Sequence, residues 1–95
     1  MNIELPSIGE ILKEEFLEPF GLSQNALAKA IFVPPNRIHA IINNTRKITA
    51  DTDLRLTKLF GLSECYFLRL QESIETRSVK RKIIDEINAI KPIQA

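Results

Sequence analysis

Four side chains with hydrogen-bonding groups lie close together in the segment PPNRIHAIINN, residues 34–44. Asn36, Arg37, His39 and Asn43 supply amide, guanidinium and imidazole groups, and the segment contains no carboxylate. Arginine can bind O6 and N7 of guanine with both ends of its fork, and asparagine can bind N6 and N7 of adenine. The residue types therefore suit contacts to the base edges and phosphates of a nucleic acid. A solvated helix face without a partner is the alternative.

Charge is distributed unevenly along the chain, although the formal net charge is only +1. Lys29, Arg37, Arg46 and Lys47 are the charged residues between positions 23 and 50, which contain no acid. The segment before them is strongly acidic. A local basic region of this kind can bind a polyanion even when the whole chain is nearly neutral.

Composition and length exclude several classes of protein. The 95 residues fit one small domain. Cys65 is the one cysteine, so no disulfide can form within the chain, and we find no leader pattern, which together predict a cytoplasmic protein. The apolar runs are far shorter than the roughly 20 residues needed to cross a membrane. One histidine and one cysteine cannot complete a zinc site, and no catalytic pair or phosphate-binding loop occurs, so we expect no enzyme, metal or cofactor.

The spacing of apolar residues predicts helices throughout. Helix one is expected over residues 8–18 after the cap Ser7, helix two from the cap Ser23 to Ile31, and helix three over residues 35–43. Helix four is expected from the cap Thr49 to Gly61, and helix five after the cap Ser63. An amphipathic C-terminal helix is expected from Arg77. Cys65 is expected to be a buried small apolar residue beside Tyr66 and Phe67. The predicted fold class is all-α.

Residues 23–43 match a helix-turn-helix unit, in which two short helices are joined by a tight turn. Counted from Gln24, the fifth position is the small Ala28, and the fifteenth and eighteenth are the branched Ile38 and Ile41. These are the positions at which the two helices pack. The ninth position, where the turn requires a positive φ, is Phe32 instead of glycine, at a cost of about 1–2 kcal/mol. Either the turn differs there, or burial of the ring compensates.

Four segments of the chain resemble the HigA-type or VapI-like antitoxins, a family of Cro/C1-type DNA-binding proteins. They are GEILKEEFLEPFGLSQNALA (9–28), VPPNRI (33–38), RKITADTDLRLTKLFG (46–61) and YFLRLQ (66–71). The resemblance implies a five-helix Cro/C1-type (lambda-repressor-like) domain over residues 1–72 and a C-terminal helical extension over residues 73–95. The chain departs from the family pattern at Asn44, Lys47 and Phe67, where glycine, glycine and tryptophan are usual.

The same resemblance implies a set of DNA-binding residues. It places Gln24 beside a phosphate, and it directs Pro35, Asn36, Arg37, His39 and Ala40 towards the major groove. Asn43, Arg46 and Lys47 follow this helix and are expected to contact phosphates, which orient a protein on DNA without reading its sequence. An ion pair with Glu14 or Glu15 is an equally weighted alternative for Arg46.

The C-terminal part of the chain carries more apolar residues than one small core requires. Phe67, Leu70, Val79, Ile83 and Ile87 are therefore predicted to form a homodimer interface. A dimer would recognise double-stranded DNA with inverted-repeat half-sites.

The family also implies a partner, a basic HigB-type toxin that cleaves messenger RNA. The acidic face of helix one is either a solubilising surface or a contact for that toxin.

Three functions follow from these expectations. The first is a repressor that is also the antitoxin of such a toxin. The second is a stand-alone Cro/C1-type regulator without a toxin, and the third is a helical module that binds only proteins. The acid-free basic segment argues against the third.

Overall fold

The computed structural model describes residues 5–94, and every regular element in that range is helical. The first helix, α1, starts as an α-helical turn, Ile8–Ile11, and continues as a π-helix, Leu12–Leu17. The remaining helices are α2 (Gln24–Ala30), α3 (Pro35–Ile42), α4 (Ala50–Phe60) and α5 (Tyr66–Ala89). The predicted all-α class is confirmed. The outer ends of the two predicted domains, residues 1–4 and 95, lie outside the described residues.

Two of the four predicted N-caps form the expected hydrogen bonds. The Ser7 hydroxyl accepts from the Glu10 N–H at 3.1 Å, and the Ser23 hydroxyl accepts from the Ala26 N–H at 3.0 Å. Each bond satisfies an N–H that a helix start leaves without a partner. Thr49 occupies the cap position of α4 without a side-chain hydrogen bond to the helix.

The prediction that Ser63 caps α5 was wrong, because a carboxylate on α4 caps this helix. The Asp53 carboxylate on α4 accepts from the N–H groups of Cys65 (2.7 Å), Phe67 (2.9 Å) and Leu68 (3.1 Å). Asp53 is buried, so these three bonds satisfy a carboxylate that would otherwise destabilise the core. A contact between two helices thus performs the task that a neighbouring serine was expected to perform.

All four connections between the helices use residues in the left-handed conformation: Gly21, Phe32, Asn44, and the pair Gly61 and Cys65, with φ of 64°, 60°, 60°, 68° and 71°. The α2 end has the hydrogen bonds of a Schellman motif, from the Val33 N–H to the Ala28 carbonyl and from the Phe32 N–H to the Lys29 carbonyl. The turn therefore keeps the geometry that normally requires glycine.

Both explanations offered for Phe32 were wrong. The turn does not avoid positive φ, and the ring is 87% exposed, so its burial does not compensate for the strain. Instead, backbone hydrogen bonds hold the turn, and Arg55 on α4 donates to the carbonyls of Ile31 (2.9 Å) and Phe32 (3.4 Å).

The core lies between α1, the helix-turn-helix unit, α4 and the start of α5. Phe67 is fully buried and its ring packs against Phe16 with centroids 5.0 Å apart. The prediction that Phe67 needs a second subunit to cover it was therefore wrong, since its own chain covers it. Cys65 was also placed wrongly: it is exposed in a left-handed turn before α5, with φ 71°. Its N–H, not its thiol, makes the contact with Asp53.

Gly9 allows α1 to approach α3 closely. A Cβ at this position would collide with the carbonyl oxygens of Ile41 and Ile42. The Gly9 N–H also donates to the Asn44 side chain at 3.3 Å, which ties the start of α1 to the residue that ends α3. The end of α3 is thereby fixed to the body of the domain.

The predicted fifth helix and C-terminal helix form the single element α5, which has a kink at Ile83 (φ −119°, ψ 21°). The predicted domain boundary between residues 72 and 73 falls inside this helix, and that division of the chain stays a prediction. Beyond the core, α5 is mostly exposed.

Candidate nucleic-acid interface

The two helices of the predicted helix-turn-helix unit pack through the residues that the spacing indicated. Ala28 on α2 is fully buried, and so are Ile38 and Ile41 on α3. Leu27 lies beside Ala28 in the same core. Because these residues fix one side of α3 inwards, the opposite side is left at the surface.

The outer side of α3 is exposed and carries polar side chains. Pro35, Asn36, His39 and Asn43 are exposed, and Ala40 is half-buried. Pro35 occupies the first helical position, where its missing N–H is tolerated.

The start of α2 carries the predicted phosphate contact. Gln24 is half-buried and is the first residue of α2, directly after the cap Ser23. A helix N-terminus directs free N–H groups and a partial positive charge outwards, which favours an anion.

His39 connects α3 to α2 through a residue that the sequence did not single out. Its Nε2 lies 3.2 Å from Oδ1 of Asn25. An amide oxygen can only accept, so Nε2 is the donor in this contact. Asn25 is the second residue of α2, next to Gln24, so it extends the polar surface from one helix to the other.

Arg37 differs from the other polar residues of α3, because it forms an ion pair within the protein. Its Nη1 lies 2.8 Å from Oδ1 of Asp51 on α4, and its side chain is only 24% exposed. The same carboxylate oxygen accepts from Nε of Arg55 at 2.8 Å. Arg37 is thus neither a freely solvated side chain nor one that extends fully from the helix. Its predicted contact with DNA stays a prediction.

The two guanidinium groups stabilise the ionised form of Asp51. Its pKa is lowered, first by the hydrogen bond from Arg55 and then by that from Arg37. A group with a depressed pKa contributes its stabilisation above its ordinary pKa and loses it as the pH falls through the lowered value. The contact therefore persists at neutral pH and weakens as the pH falls below the ordinary range of a carboxyl group.

The loop between α3 and α4 presents the two other predicted basic contacts. Arg46 and Lys47 are both exposed. Lys47 Nζ lies 3.1 and 3.2 Å from the two carboxylate oxygens of Glu75 on α5. Arg46 forms no ion pair with any residue between 5 and 94, so its predicted pairing with Glu14 or Glu15 was wrong.

The same loop is held by α5 through a residue that sequence reasoning missed. The Gln71 side chain accepts from the Ile48 N–H at 2.8 Å and donates to the Ile48 carbonyl at 2.9 Å. Ile48 itself is buried. The two bonds fix the backbone immediately after Arg46 and Lys47, the residues predicted to contact phosphates.

A comparison with known proteins decides the family. A family model described as helix-turn-helix matches residues 13–67. The chain belongs to the helix-turn-helix family. Within it, the chain is 45% identical over 92 residues to virulence-associated protein I of Dichelobacter nodosus, covering 95% of this chain and 84% of that protein. The helix-turn-helix family is a family of DNA-binding proteins and not a class of enzymes. The prediction that the chain is not an enzyme is therefore confirmed.

Two solved structures have the same fold as this chain. One is an addiction module antidote protein of the HigA family from Coxiella burnetii, 38% identical with a TM-score of 0.82, covering 96% of this chain and 100% of that one. The other is the Pseudomonas aeruginosa antitoxin HigA with the higBA promoter, 31% identical with a TM-score of 0.80, covering 94% and 98%. The resemblance to HigA-type antitoxins is confirmed.

Residues on α5 that were predicted to form a dimer interface lie in two environments. Leu70 is half-buried and packs against the core of its own chain. Val79 and Ile87 are 46% and 42% exposed, and Ile83 is half-buried. Val79, Ile83 and Ile87 line the same surface groove along α5, on both sides of the kink at Ile83.

Other surfaces carry little that suggests further chemistry. The acidic residues on α1 and directly after it are exposed: Glu10, Glu14, Glu15 and Glu18. Among residues 5–94, no group of histidine, cysteine and acidic side chains could hold a metal ion. No helix in the same range has the length and apolar character needed to cross a membrane.

Proposed function

We propose that this protein is a sequence-specific repressor that binds operator DNA and acts as the antitoxin of a HigBA-type module. The observation that carries the proposal is the exposed, carboxylate-free face of α3, set on a helix-turn-helix unit whose fold matches a HigA antitoxin solved with its promoter. Repression of the shared operon and neutralisation of an mRNA-cleaving toxin are the two parts of this function. A cytoplasmic location follows from both.

Each part of the polar surface has a proposed role on DNA. Asn36, His39 and Asn43 are exposed hydrogen-bonding residues on or next to α3, and they would read base edges or adjoining phosphates in the major groove. The methyl group of Ala40 would contact thymine, and Pro35 would pack at the groove wall.

The flanking groups would orient the protein on the DNA backbone. Gln24 would bind a phosphate at the start of α2. Arg46 and Lys47 would bind phosphates from the loop after α3. Lys47 would exchange Glu75 for phosphate, and this exchange is favourable because an exposed ion pair of this kind contributes only about 0–1 kcal/mol.

DNA binding is tested with the region upstream of this gene and a scrambled duplex in gel-shift titrations at one salt concentration. We expect a clear preference for the upstream region, and we expect Arg46→Ala with Lys47→Ala to weaken binding to both duplexes. Lys13→Ala with Lys91→Ala is the control, since it removes the same charge from exposed positions elsewhere. Equal binding of the wild-type protein to both duplexes would contradict the proposal.

A homodimer is the second element of the proposal. The apolar face of Val79, Ile83 and Ile87 would pack against the same face of a second copy, and one short recognition helix reads too few base pairs alone. Half-sites would then repeat about 34 Å apart.

Sedimentation equilibrium at micromolar concentration tests the dimer. We expect twice the chain mass for the wild type and the 10.8 kDa monomer for Val79→Asp with Ile87→Asp. A matched change at the exposed polar residues, Lys80→Asp with Asn88→Asp, should leave the dimer intact. A wild-type protein found only at 10.8 kDa would contradict the dimer.

The antitoxin part is tested by co-expression with the product of the neighbouring gene. We expect that product to inhibit growth alone and to form a complex with this protein that relieves the inhibition. Repression without any toxin beside the gene would instead assign the protein to stand-alone regulators. A variant in which Glu14 and Glu18 are replaced by glutamine distinguishes the two readings of the acidic face, because loss of the complex would make that face the toxin contact.

A further inference from the structure

We propose that Asp51 and Arg55 position the recognition helix α3, and that Arg37 is the anchor through which they act. The inference rests on the proposed DNA binding and adds positioning residues for it. It also reassigns Arg37 from reading bases to holding the helix that reads them.

One carboxylate oxygen joins α3 to α4, and Arg55 extends the contact to the turn before α3. Oδ1 of Asp51 accepts from Nη1 of Arg37 and from Nε of Arg55, both at 2.8 Å. Arg55 then donates from Nη1 to the carbonyls of Ile31 (2.9 Å) and Phe32 (3.4 Å) in the turn before α3. We call Arg37, Asp51 and Arg55 the arginine clamp. It ties the first turn of α3 and the preceding turn to α4.

The arginine clamp leaves Arg37 poorly placed to read a base. A guanidinium can bind guanine through the pair Nη1 and Nη2 or through the pair Nε and Nη2. Nη1 is bonded to Asp51, and Nε is buried without a hydrogen-bond partner. Each pair thus contains one nitrogen that is engaged or shielded. Reading guanine with both ends of the fork would require the side chain to leave Asp51.

The position of the N-terminal turn of α3 depends on this clamp, because the other polar contacts of the helix lie further along it, from His39 to Asn25 and from the Gly9 N–H to the Asn44 side chain. Ile38 and Ile41 hold the helix against the core, but apolar packing is not directional and permits small rotations and shifts. The charge-assisted bonds of Arg37 are directional and act at the N-terminal turn of α3, next to Asn36. Base contacts need accurate placement, whereas attraction to phosphates tolerates displacement.

Asp51→Asn gives opposite predictions for positioning and for simple electrostatics. Removing a negative charge near DNA should strengthen all binding if Asp51 has no positioning role. If Arg37 were a base reader held back by Asp51, freeing it should strengthen operator binding in particular. Positioning predicts the reverse, a selective loss on the operator. Because Asp51 is exposed, the substitution should leave the fold intact.

The experiment measures binding of full-length protein to operator and random duplexes at one salt concentration. For Asp51→Asn we expect operator affinity to fall about five- to thirty-fold, which lies within the range of coupling between contacting groups, with random-duplex affinity unchanged or slightly higher. Asp51→Glu should restore part of the operator preference. Asp85→Asn, an exposed acid on α5, is the matched control and should change neither affinity.

A double-mutant cycle with Arg37→Ala tests the path through Arg37. We expect Arg37→Ala with Asp51→Asn to weaken operator binding no more than Arg37→Ala alone, because both changes break the same contact. Additive losses would overturn the assignment of Arg37 as the anchor. Melting temperatures of all variants show whether the proteins remain folded at the assay temperature.

The outcomes separate this inference from the proposed function. If the wild-type protein does not prefer its upstream DNA, the proposed function fails and the inference with it. If the wild type discriminates but Asp51→Asn binds the operator as well or better, only the inference is overturned. Equal losses on operator and random duplexes would also overturn it, since they indicate a general loss of binding surface.

Discussion

Phe32 holds a left-handed backbone conformation with its ring in solvent. Burial of the ring therefore contributes little against a strain of about 1–2 kcal/mol. Asparagine tolerates this conformation, so we expect Phe32→Asn to raise the free energy of unfolding by about 0.5–1 kcal/mol. Urea denaturation measures the change. Phe32→Ala is the control: alanine keeps the backbone strain, so equal gains from both substitutions would mean that the ring, not the backbone, is unfavourable.

Asp53 is the residue whose loss should destabilise the domain most directly. Its carboxylate accepts three backbone N–H groups at the start of α5, and it is buried. Asp53→Ala leaves those donors without their acceptor, so we expect a loss of about 2–4 kcal/mol in the free energy of unfolding. The exposed substitution Asp85→Asn should change it by less than about 0.5 kcal/mol. Similar values for the two variants in urea denaturation would show that water replaces the missing acceptor.

At the scale of elements, α5 supports the loop that follows α3. Gln71 makes two hydrogen bonds to the backbone of Ile48, two residues after Arg46. Gln71→Ala removes both, so we expect a loss of about 1–2 kcal/mol in the free energy of unfolding. The Ile48 amide should exchange hydrogen faster. Glu72→Ala, an exposed neighbour on the same helix, serves as the control. Unchanged exchange at Ile48 in Gln71→Ala would contradict this role for α5.

At the scale of the whole molecule, the basic region should govern the salt dependence of DNA binding. Two or three of Lys29, Arg46 and Lys47 per subunit are expected at phosphates, so a dimer would release about four to six counterions. The logarithm of affinity should then fall with the logarithm of salt concentration with a slope of about −4 to −5. Arg46→Ala with Lys47→Ala should flatten this slope.

The basic segment of α5 provides the control for the salt experiment. Reversing the charges of Lys80 and Lys82 leaves the apolar face of α5 in place, because Val79, Ile83 and Ile87 are unchanged. We expect the slope to stay the same. A slope reduced by this change, and unaffected by the change at Arg46 and Lys47, would place the electrostatic contact on α5 instead of on the loop after α3.

The sequence by itself determined the helices of the helix-turn-helix unit and the side of α3 that faces solvent. Apolar spacing placed Ala28, Ile38 and Ile41 in the core, and the caps Ser7 and Ser23 form the expected bonds. These features depend on residues a few positions apart, so a short stretch of chain carries the whole signal.

Only the tertiary structure decided which polar side chains hold one another. Arg37 contacts Asp51 across 14 positions, and Gln71 contacts the backbone of Ile48 across 23. Spacing along the chain cannot indicate such pairs, because each depends on how helices meet in space. Tertiary bonds from Arg55 likewise support the exposed, strained Phe32. For the same reason Arg37, which has the chemistry of a base reader, lies instead in a contact between two helices.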